Sequence, residues 1–186
     1  FREGLRITPV RVWDKGVYRS DVARMIAEMT RDPETIYGDL RAQAEATRVA
    51  EREILRLVDK YGRDKVVAGF QDVQNYVERS ARARIKALPD GSWESTDYVD
   101  QDPAASEGLI PIKVKLTIKG DEVTYDFTGS HGTIGTLYNS AFGSTFSAVA
   151  AGMKTYFPDL PLNSGFYRPI NVISPKNSII SAEWPV

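Results

Sequence analysis

The chain holds a single histidine, His131, in the stretch Thr128-Gly129-Ser130-His131-Gly132-Thr133-Ile134-Gly135-Thr136. Three glycines and no hydrophobic period mark that stretch as a loop. Glycine lets backbone approach a ligand closely. His131 therefore reads either as a proton-transfer or substrate-contacting group, or as a loop histidine bonded to backbone or solvent. One histidine cannot complete a Ser-His-Asp triad or a zinc site built on several histidines. The glycine spacing of three matches neither GxGxxG nor GxxxxGK[ST], so the loop is no nucleotide fingerprint. It is a tight-turning loop, or one that faces a substrate and ends at Asn139, whose amide donates and accepts at once.

Three further groups carry polar chemistry. Asp39 and Gln43 lie at i, i+4 with Arg31 just upstream. They read as a cap and surface pair, or as a polar anchor orienting the helices around them. Asn163-Ser164-Gly165 stands between Pro161 and Pro169. It reads as a turn whose backbone N–H groups could also form an anion-binding nest. No pair of carboxylates has a spacing that demands acid–base work.

The elements that position these residues follow from periodicity and punctuation. Residues 4–12 alternate and contain Pro9, an extended or edge segment, and Lys15-Gly16 is a turn. Ser20 caps a short helix with Val22, Met25, Ile26 and Met29 on one face. Asp32-Pro33-Glu34 starts the next helix, with Gly38-Asp39 as an alternative restart point a turn later. Its stripe is Leu40, Ala44, Thr47, Ala50, Ile54, Leu57, Val58 and Tyr61, and Gly62 stops it. A third helix begins at Asp64 or Lys65, with Val66, Phe70, Val73, Val77, Ala81, Ile85 and Leu88 as its stripe. Long helices joined by so short a turn are expected to be antiparallel and to share these stripes.

At Pro89-Asp90-Gly91 the pattern changes. Residues 92–100 suit a strand with Trp93, Ser95, Asp97 and Val99 on one side, and 101–108 form a polar loop. Ile112, Val114, Leu116 and Ile118 alternate with Lys113, Lys115, Thr117 and Lys119. Gly120-Asp121 turns the chain into the alternating Val123, Tyr125 and Phe127, a β-hairpin with one buried face. Residues 142–156 are small and apolar, a closely packed helix ended by Phe157-Pro158. Residues 170–173 and 178–181 suit short strands around Pro175-Lys176-Asn177. The expected fold is α+β: residues 1–88 helical, with a short helix and an antiparallel helical hairpin, and residues 89–186 a mostly antiparallel sheet with one helix near 142–156.

Composition excludes several classes. The 186 residues carry 24 Lys+Arg and 25 Asp+Glu, which argues against a nucleic-acid binder. Residues 37–87 hold 11 basic and 8 acidic side chains, and 88–186 hold 6 and 11, so a basic helical half precedes an acidic one. No apolar run approaches 18 residues, so no helical membrane span is expected. There are no cysteines, which removes disulfides, thiolate metal sites and cysteine nucleophiles and fits a cytoplasmic setting. The chain opens on Phe1 and stops just after an apparent strand, and is expected to be a fragment of a larger subunit.

Several stretches, taken in order, resemble one family. They are Glu3-Gly4-Leu5-Arg6-Ile7, Arg31-Asp32-Pro33-Glu34, Gly38-Asp39-Leu40-Arg41-Ala42-Gln43, Tyr61-Gly62 and Leu88-Pro89-Asp90-Gly91. Asp126-Phe127-Thr128-Gly129-Ser130, Asn139 and Pro161-Leu162-Asn163-Ser164-Gly165-Phe166-Tyr167-Arg168-Pro169-Ile170 follow. This order resembles the hydantoinase B and 5-oxoprolinase family, to which the large subunits of acetone and acetophenone carboxylases are related. The resemblance implies the middle of a B-type subunit in a multi-subunit, ATP-dependent enzyme. An A-type partner binds ATP and phosphorylates a carbonyl or amide oxygen. The B-type partner then opens a hydantoin or lactam ring with water, or in the carboxylases adds carboxylate to an enol.

If the chain contributes to the chemistry directly, the polar residues of its loops are the ones expected near substrate. His131 is the candidate catalytic residue, with Asn139, Asn163 and Gly165 at the substrate and Arg31 and Asp39 as supporting anchors. ATP belongs to the partner, and a divalent metal to the full-length protein, because the family's His- and Asp-containing segment precedes the stretch that matches Phe1 onward. No metal ligand carries over to this chain. Thr30 stands where the family commonly has Asn. A second implication, from the charged helices (Arg41, Arg48, Arg52 and Arg56 against Glu45, Glu51 and Glu53), is a module that docks a partner subunit without catalytic residues of its own.

Overall fold

A computed structural model describes residues 7–99, 108–135 and 138–183. Expectations on residues 1–6, on 100–107, on Thr136 and on 184–186 lie outside the described residues. The chain divides into two compact units, one ending at Ala68 and one starting at Gly69.

In the first unit, β1 (Trp13–Asp14) and β2 (Val17–Tyr18) form a small hairpin across Lys15-Gly16. Both turn residues have positive φ, 49° and 82°, the conformation a two-residue hairpin turn demands. Helix α1 (Ser20–Ala27) packs on α2 (Pro33–Tyr61). Ser20 is the first helical residue of α1 rather than its cap, and Arg19 stands at the N-cap without a side-chain bond. The buried face is Ala23, Ile26 and Ala27, while Met25 and Met29 are exposed. Asp32 caps α2 by accepting from Thr35 N–H at 3.3 Å, with Pro33 at the first turn. The helix runs through Gly38-Asp39 without restarting and stops at Gly62, whose φ is 84°. Aromatic rings and guanidinium groups seat the small hairpin. Arg48 lies over the Trp13 ring at 4.8 Å, Arg24 over Tyr37 at 4.2 Å, and Trp13 and Tyr18 tilt together at 5.4 Å. The stripe read on α2 is largely uncovered: Ala44 is buried, but Ile54, Leu57 and Tyr61 are exposed.

Helix α3 (Arg63–Lys86) continues into the second unit. Its stripe divides as well. Phe70 and Val73 are exposed, while Val77, Ala81 and Ile85 are buried. The sheet has the order β3 (Gly91–Val99), β4 (Ile110–Lys119), β5 (Glu122–Asp126), β6 (Ile170–Ile173). The first two pairings are antiparallel and β5–β6 is parallel. Lys119 faces Glu122 across Gly120-Asp121, the two-residue turn the sequence predicts, with Gly120 at φ 64°. The Asp90 carboxylate accepts from Gly120 N–H at 2.9 Å, so the turn that ends the helical half also ties down the hairpin tip. Trp93, Leu116, Tyr125 and Val172 stand in one row across all four strands. That face packs with Val77, Ala81 and Ile85 of α3 and with Val149 and Met153 of α4 (Phe142–Tyr156) in the larger core. Lys113, Lys115, Thr117 and Lys119 occupy the opposite face, as strand alternation requires. A smaller core joins Ile110, Ile179 and Ile180 to Val99, Ile112, Phe127 and Ile134. Residues 178–181, expected as a strand, make only isolated bridges, Gly132 to Ser178 and Ser178 to Ser181. Ser164 and Gly165, expected as part of a turn, open a one-turn helix, α5 (Ser164–Tyr167).

Candidate functional site

His131 sits where β5 has ended and the chain stays beside β4. The Ser130 hydroxyl accepts from Lys113 N–H at 3.0 Å and donates to Lys113 C=O at 3.1 Å. One side chain thus takes over the work of a strand partner. Next, His131 N–H donates to Pro111 C=O at 3.0 Å, and His131 C=O accepts from Ile179 N–H at 3.0 Å. Thr133 N–H reaches Asn177 C=O at 3.0 Å. The histidine backbone is therefore held on both sides, between β4 and the 177–179 segment. Its ring is half-buried, with Nδ1 3.0 Å from Gly132 C=O. Gly129, at φ 92°, makes the bend that brings Ser130 back to β4. Asp126 ends β5 and accepts from Thr128 N–H at 2.9 Å. The hydrogen bonds from Thr128 hold its carboxyl below the usual carboxylate range.

Asn139 closes the same loop. Its Oδ1 accepts from Ile134 N–H at 3.0 Å and its Nδ2 donates to Ile134 C=O. An amide is suited to this because it pairs with both backbone groups of one residue. Ser140 N–H then donates to Ile179 C=O at 2.6 Å, and Ala182 N–H to Ser140 C=O at 3.0 Å. Thr145, buried near the start of α4, donates from Oγ1 to Ile180 C=O at 2.6 Å. His131 and Asn139 thus belong to one knot: residues 128–135 and 138–140, the 175–182 segment and the N-terminal turn of α4. Sequence reading singles out neither Ser130 nor Thr145, because a serine or threonine in a loop or helix looks like any solvated hydroxyl until its backbone partner is placed.

Asn163 and Gly165 are held by other neighbours. The Asn163 carboxamide accepts from Gly165 N–H at 2.8 Å and caps α5. The N–H that a nest would offer to an anion is thereby engaged. Gly165 lies against α3 at Gln74 and Glu78. Arg168 anchors the segment with Nη1 3.0 Å from Asn75 Oδ1 and 2.7 Å from Glu78 Oε2, and Nη2 3.3 Å from Gln74 Oε1. Glu78 also accepts from Arg82, which reaches Asp121 and Glu122 at the hairpin tip. The two guanidinium groups, Arg168 first, hold the Glu78 carboxyl below its ordinary value. In the first unit, Arg31 sits just before the Asp32 cap, and Asp39 is an exposed residue on the second turn of α2.

Among the described residues no three His, Cys, Asp or Glu side chains come together as a metal site. The described residues therefore do not by themselves fit a metal ion. Among the same residues no helix is long and apolar enough to cross a membrane.

Comparison with known proteins places this arrangement. The chain is 32% identical over 187 residues to the beta chain of the caprolactamase of Pseudomonas jessenii, covering 100% of the chain and 32% of that protein. It is 29% identical over 198 residues to the B-type component of a putative D-/L-hydantoinase from a Pseudomonas species, covering 100% of the chain and 33% of that protein. The crystal structure of the ATP-dependent caprolactamase from Pseudomonas jessenii superposes with a TM-score of 0.83 at 32% identity, over 99% of this chain and 32% of that one. The chain thus spans about a third of the length of the relatives it matches. The family model described as hydantoinase B/oxoprolinase matches residues 1–186. On that match along its whole length, in sequence and in fold, the chain belongs to the hydantoinase B/oxoprolinase family.

Proposed function

We propose that the chain works in a B-type subunit of an ATP-dependent complex that opens a cyclic amide, a hydantoin or a lactam, with water. In this reading an A-type partner binds ATP and transfers its terminal phosphoryl group to the amide oxygen. Water adds to the activated carbon and the ring C–N bond breaks, freeing the amine and leaving an acyl phosphate, from which a second water releases phosphate and the carboxylate. Phosphorylation supplies the leaving group that an amide lacks, and a closed site keeps the activated species from bulk water. The observation that carries the reading is the match, along the whole chain, to the beta chain of a caprolactamase, in sequence and in fold.

His131 is the residue proposed to move a proton. Its backbone is clamped by Pro111 and Ile179 while its imidazole is the titratable group of the loop. Asn139 and Asn163 are proposed to shape the substrate-facing backbone, the first through Ile134 and the second through α5, whose Gly165 lets that turn pack closely against α3. Arg31 and Asp39 would anchor the start of α2. The complex is proposed to be hetero-oligomeric and cytoplasmic.

A turnover assay of the complete complex tests this. ATP-driven phosphate release should follow addition of hydantoins, 5-oxoproline or larger lactams. Release driven only by ketones with bicarbonate would replace ring opening with carboxylation.

A further inference from the structure

The β4–β5 ladder pairs Lys119 with Glu122, Thr117 with Thr124 and Lys115 with Asp126. Continued in that register, it would set Lys113 opposite Thr128 and Pro111 opposite Ser130. The chain does otherwise. The pairing of β5 with β4 ends at Asp126, and both backbone groups of Lys113 go to the Ser130 hydroxyl, at 3.0 and 3.1 Å. Pro111 C=O then accepts from His131 N–H, while Ser130 N–H donates to Phe127 C=O at 3.1 Å. One extra residue therefore lies between the end of β5 and the return of the chain to β4. Gly129, at φ 92°, supplies the bend that a glycine-centred bulge uses.

A slip of one residue exchanges the two faces of a sheet. Ile110 lies on the apolar side, 1% exposed, in the smaller core with Ile179 and Ile180. Lys113 and Lys115 stand on the other side, and Pro111 with them, because alternate residues of a strand share a face. Without the slip, His131 would fall opposite Ile110, and its imidazole would be directed among those isoleucines. A polar group buried there without a partner costs free energy. With the slip, His131 falls opposite Pro111, in register with the lysine-bearing side. Pro111 adds a second constraint. It has no N–H to give, so β4 makes no use of His131 C=O at that position, and the carbonyl accepts instead from Ile179 N–H at 3.0 Å.

We propose that Ser130 is the positioning residue for proton transfer by His131, its hydroxyl locking the one-residue slip that assigns the imidazole to the lysine-bearing side of the sheet. This rests on the role proposed above for His131. A hydroxyl suits the task because a single oxygen both donates and accepts. It serves the N–H and the C=O of Lys113 where no strand backbone lies beside them. Alanine at this position would remove both bonds and free the 128–131 segment from β4 on that side.

The complete complex carries the test, in a double-mutant cycle of Ser130→Ala and His131→Ala. Ser130→Ala should lower kcat about 10–100-fold, the scale of a small misplacement of a reacting group, with KM held within about twofold. In the His131→Ala background the same change should cost no further turnover, since it acts only through the imidazole. Ser130→Thr, which keeps the hydroxyl, should recover most of kcat. Hydrogen exchange on the complex should quicken around Lys113 and His131 in Ser130→Ala and stay slow over 122–126 and 170–173, the mark of an intact sheet. Losses that multiply in the double variant would overturn the proposal. So would a parent-like kcat in Ser130→Ala beside an inactive His131→Ala, or unchanged exchange around Lys113 and His131. Parent-like turnover in His131→Ala would instead remove the proton-transfer role itself, and the exchange result would still decide whether Ser130 holds the slip.

Discussion

Gly165 lies so close to Gln74 that a β-carbon on it would stand 2.0 Å from the Gln74 carbonyl oxygen and 3.0 Å from Glu78 N. The obstacle is helix backbone, not a side chain that could swing aside. Gly165→Ala must therefore push α5 away from α3 and disturb buried Phe166 beside it. Overpacking of this kind costs about 1–3 kcal/mol, and a backbone clash belongs at the upper end. Urea unfolding should show the midpoint fall with little change in slope. Gly38→Ala, where the β-carbon meets nothing within 4 Å, should stabilise slightly, since alanine suits a helix interior better than glycine.

The Arg168–Glu78–Arg82 chain should make stability depend on acid. Glu78 has its native pKa lowered, by Arg168 first and Arg82 second. A depressed carboxyl contributes stability that is fully present above its ordinary value of about 4.3. That contribution is lost as pH falls through the lower native value. Replacing Glu78 with Gln should lower the melting temperature at neutral pH, and the two proteins should converge as pH falls, so the variant's acid limb is flatter. The groups are part-exposed, so added salt should shrink the difference between the two proteins. A Gln variant that unfolds along the same acid limb as the parent would show that the carboxylate is not linked to folding.

What the sequence discloses depends on whether the signal is local. The β4–β5 hairpin is legible because alternation and the two-residue Gly120-Asp121 turn set its register without outside help. Helix α4 is legible at both bounds, since Phe157-Pro158 stops it. The stripes of α2 and α3 are legible only as demand: Ile54, Leu57, Phe70 and Val73 recur at helical spacing, yet remain exposed. Periodicity marks a face that favours cover, not the surface that covers it. Helix α5 is hidden because Asn163 followed by Gly165 gives the same signal for a helix cap as for a turn. In the candidate site, His131 and Asn139 stand out by type, whereas the contacts of Ser130, Thr145 and Ile180 depend on segments far apart in sequence.

Thr145 offers the cleanest measure of that hidden order. Its hydroxyl is buried and donates to Ile180 C=O, while Ile180 itself belongs to the smaller core. Thr145→Val keeps the shape and removes the donor, leaving a buried carbonyl short of a partner. The expected loss is about 1–3 kcal/mol, and Thr145→Ser, which keeps the hydroxyl, should lose less. Denaturant titration of the two variants reads the difference directly. A Thr145→Val variant that loses nothing, or loses less than Thr145→Ser, would show that the methyl group and not the hydrogen bond carries the stabilisation.

His131 and Asn139 should separate when each is replaced. Asn139→Ala removes two bonds to Ile134, so amide exchange across 131–135 and 138–140 should quicken while the sheet core stays protected. Asn139→Asp keeps the acceptor, loses the donor and should fall between. His131→Ala leaves the backbone bonds to Pro111 and Ile179 in place and removes the Nδ1 contact with Gly132 C=O, so exchange in the loop should change less than in Asn139→Ala. In the complete complex, however, the proposed proton transfer predicts a fall in kcat of about 10²–10⁴-fold. Exchange and turnover moving together in both variants would make the imidazole a structural piece of the loop. Turnover lost in His131→Ala with exchange intact is the signature of a group that acts on the substrate.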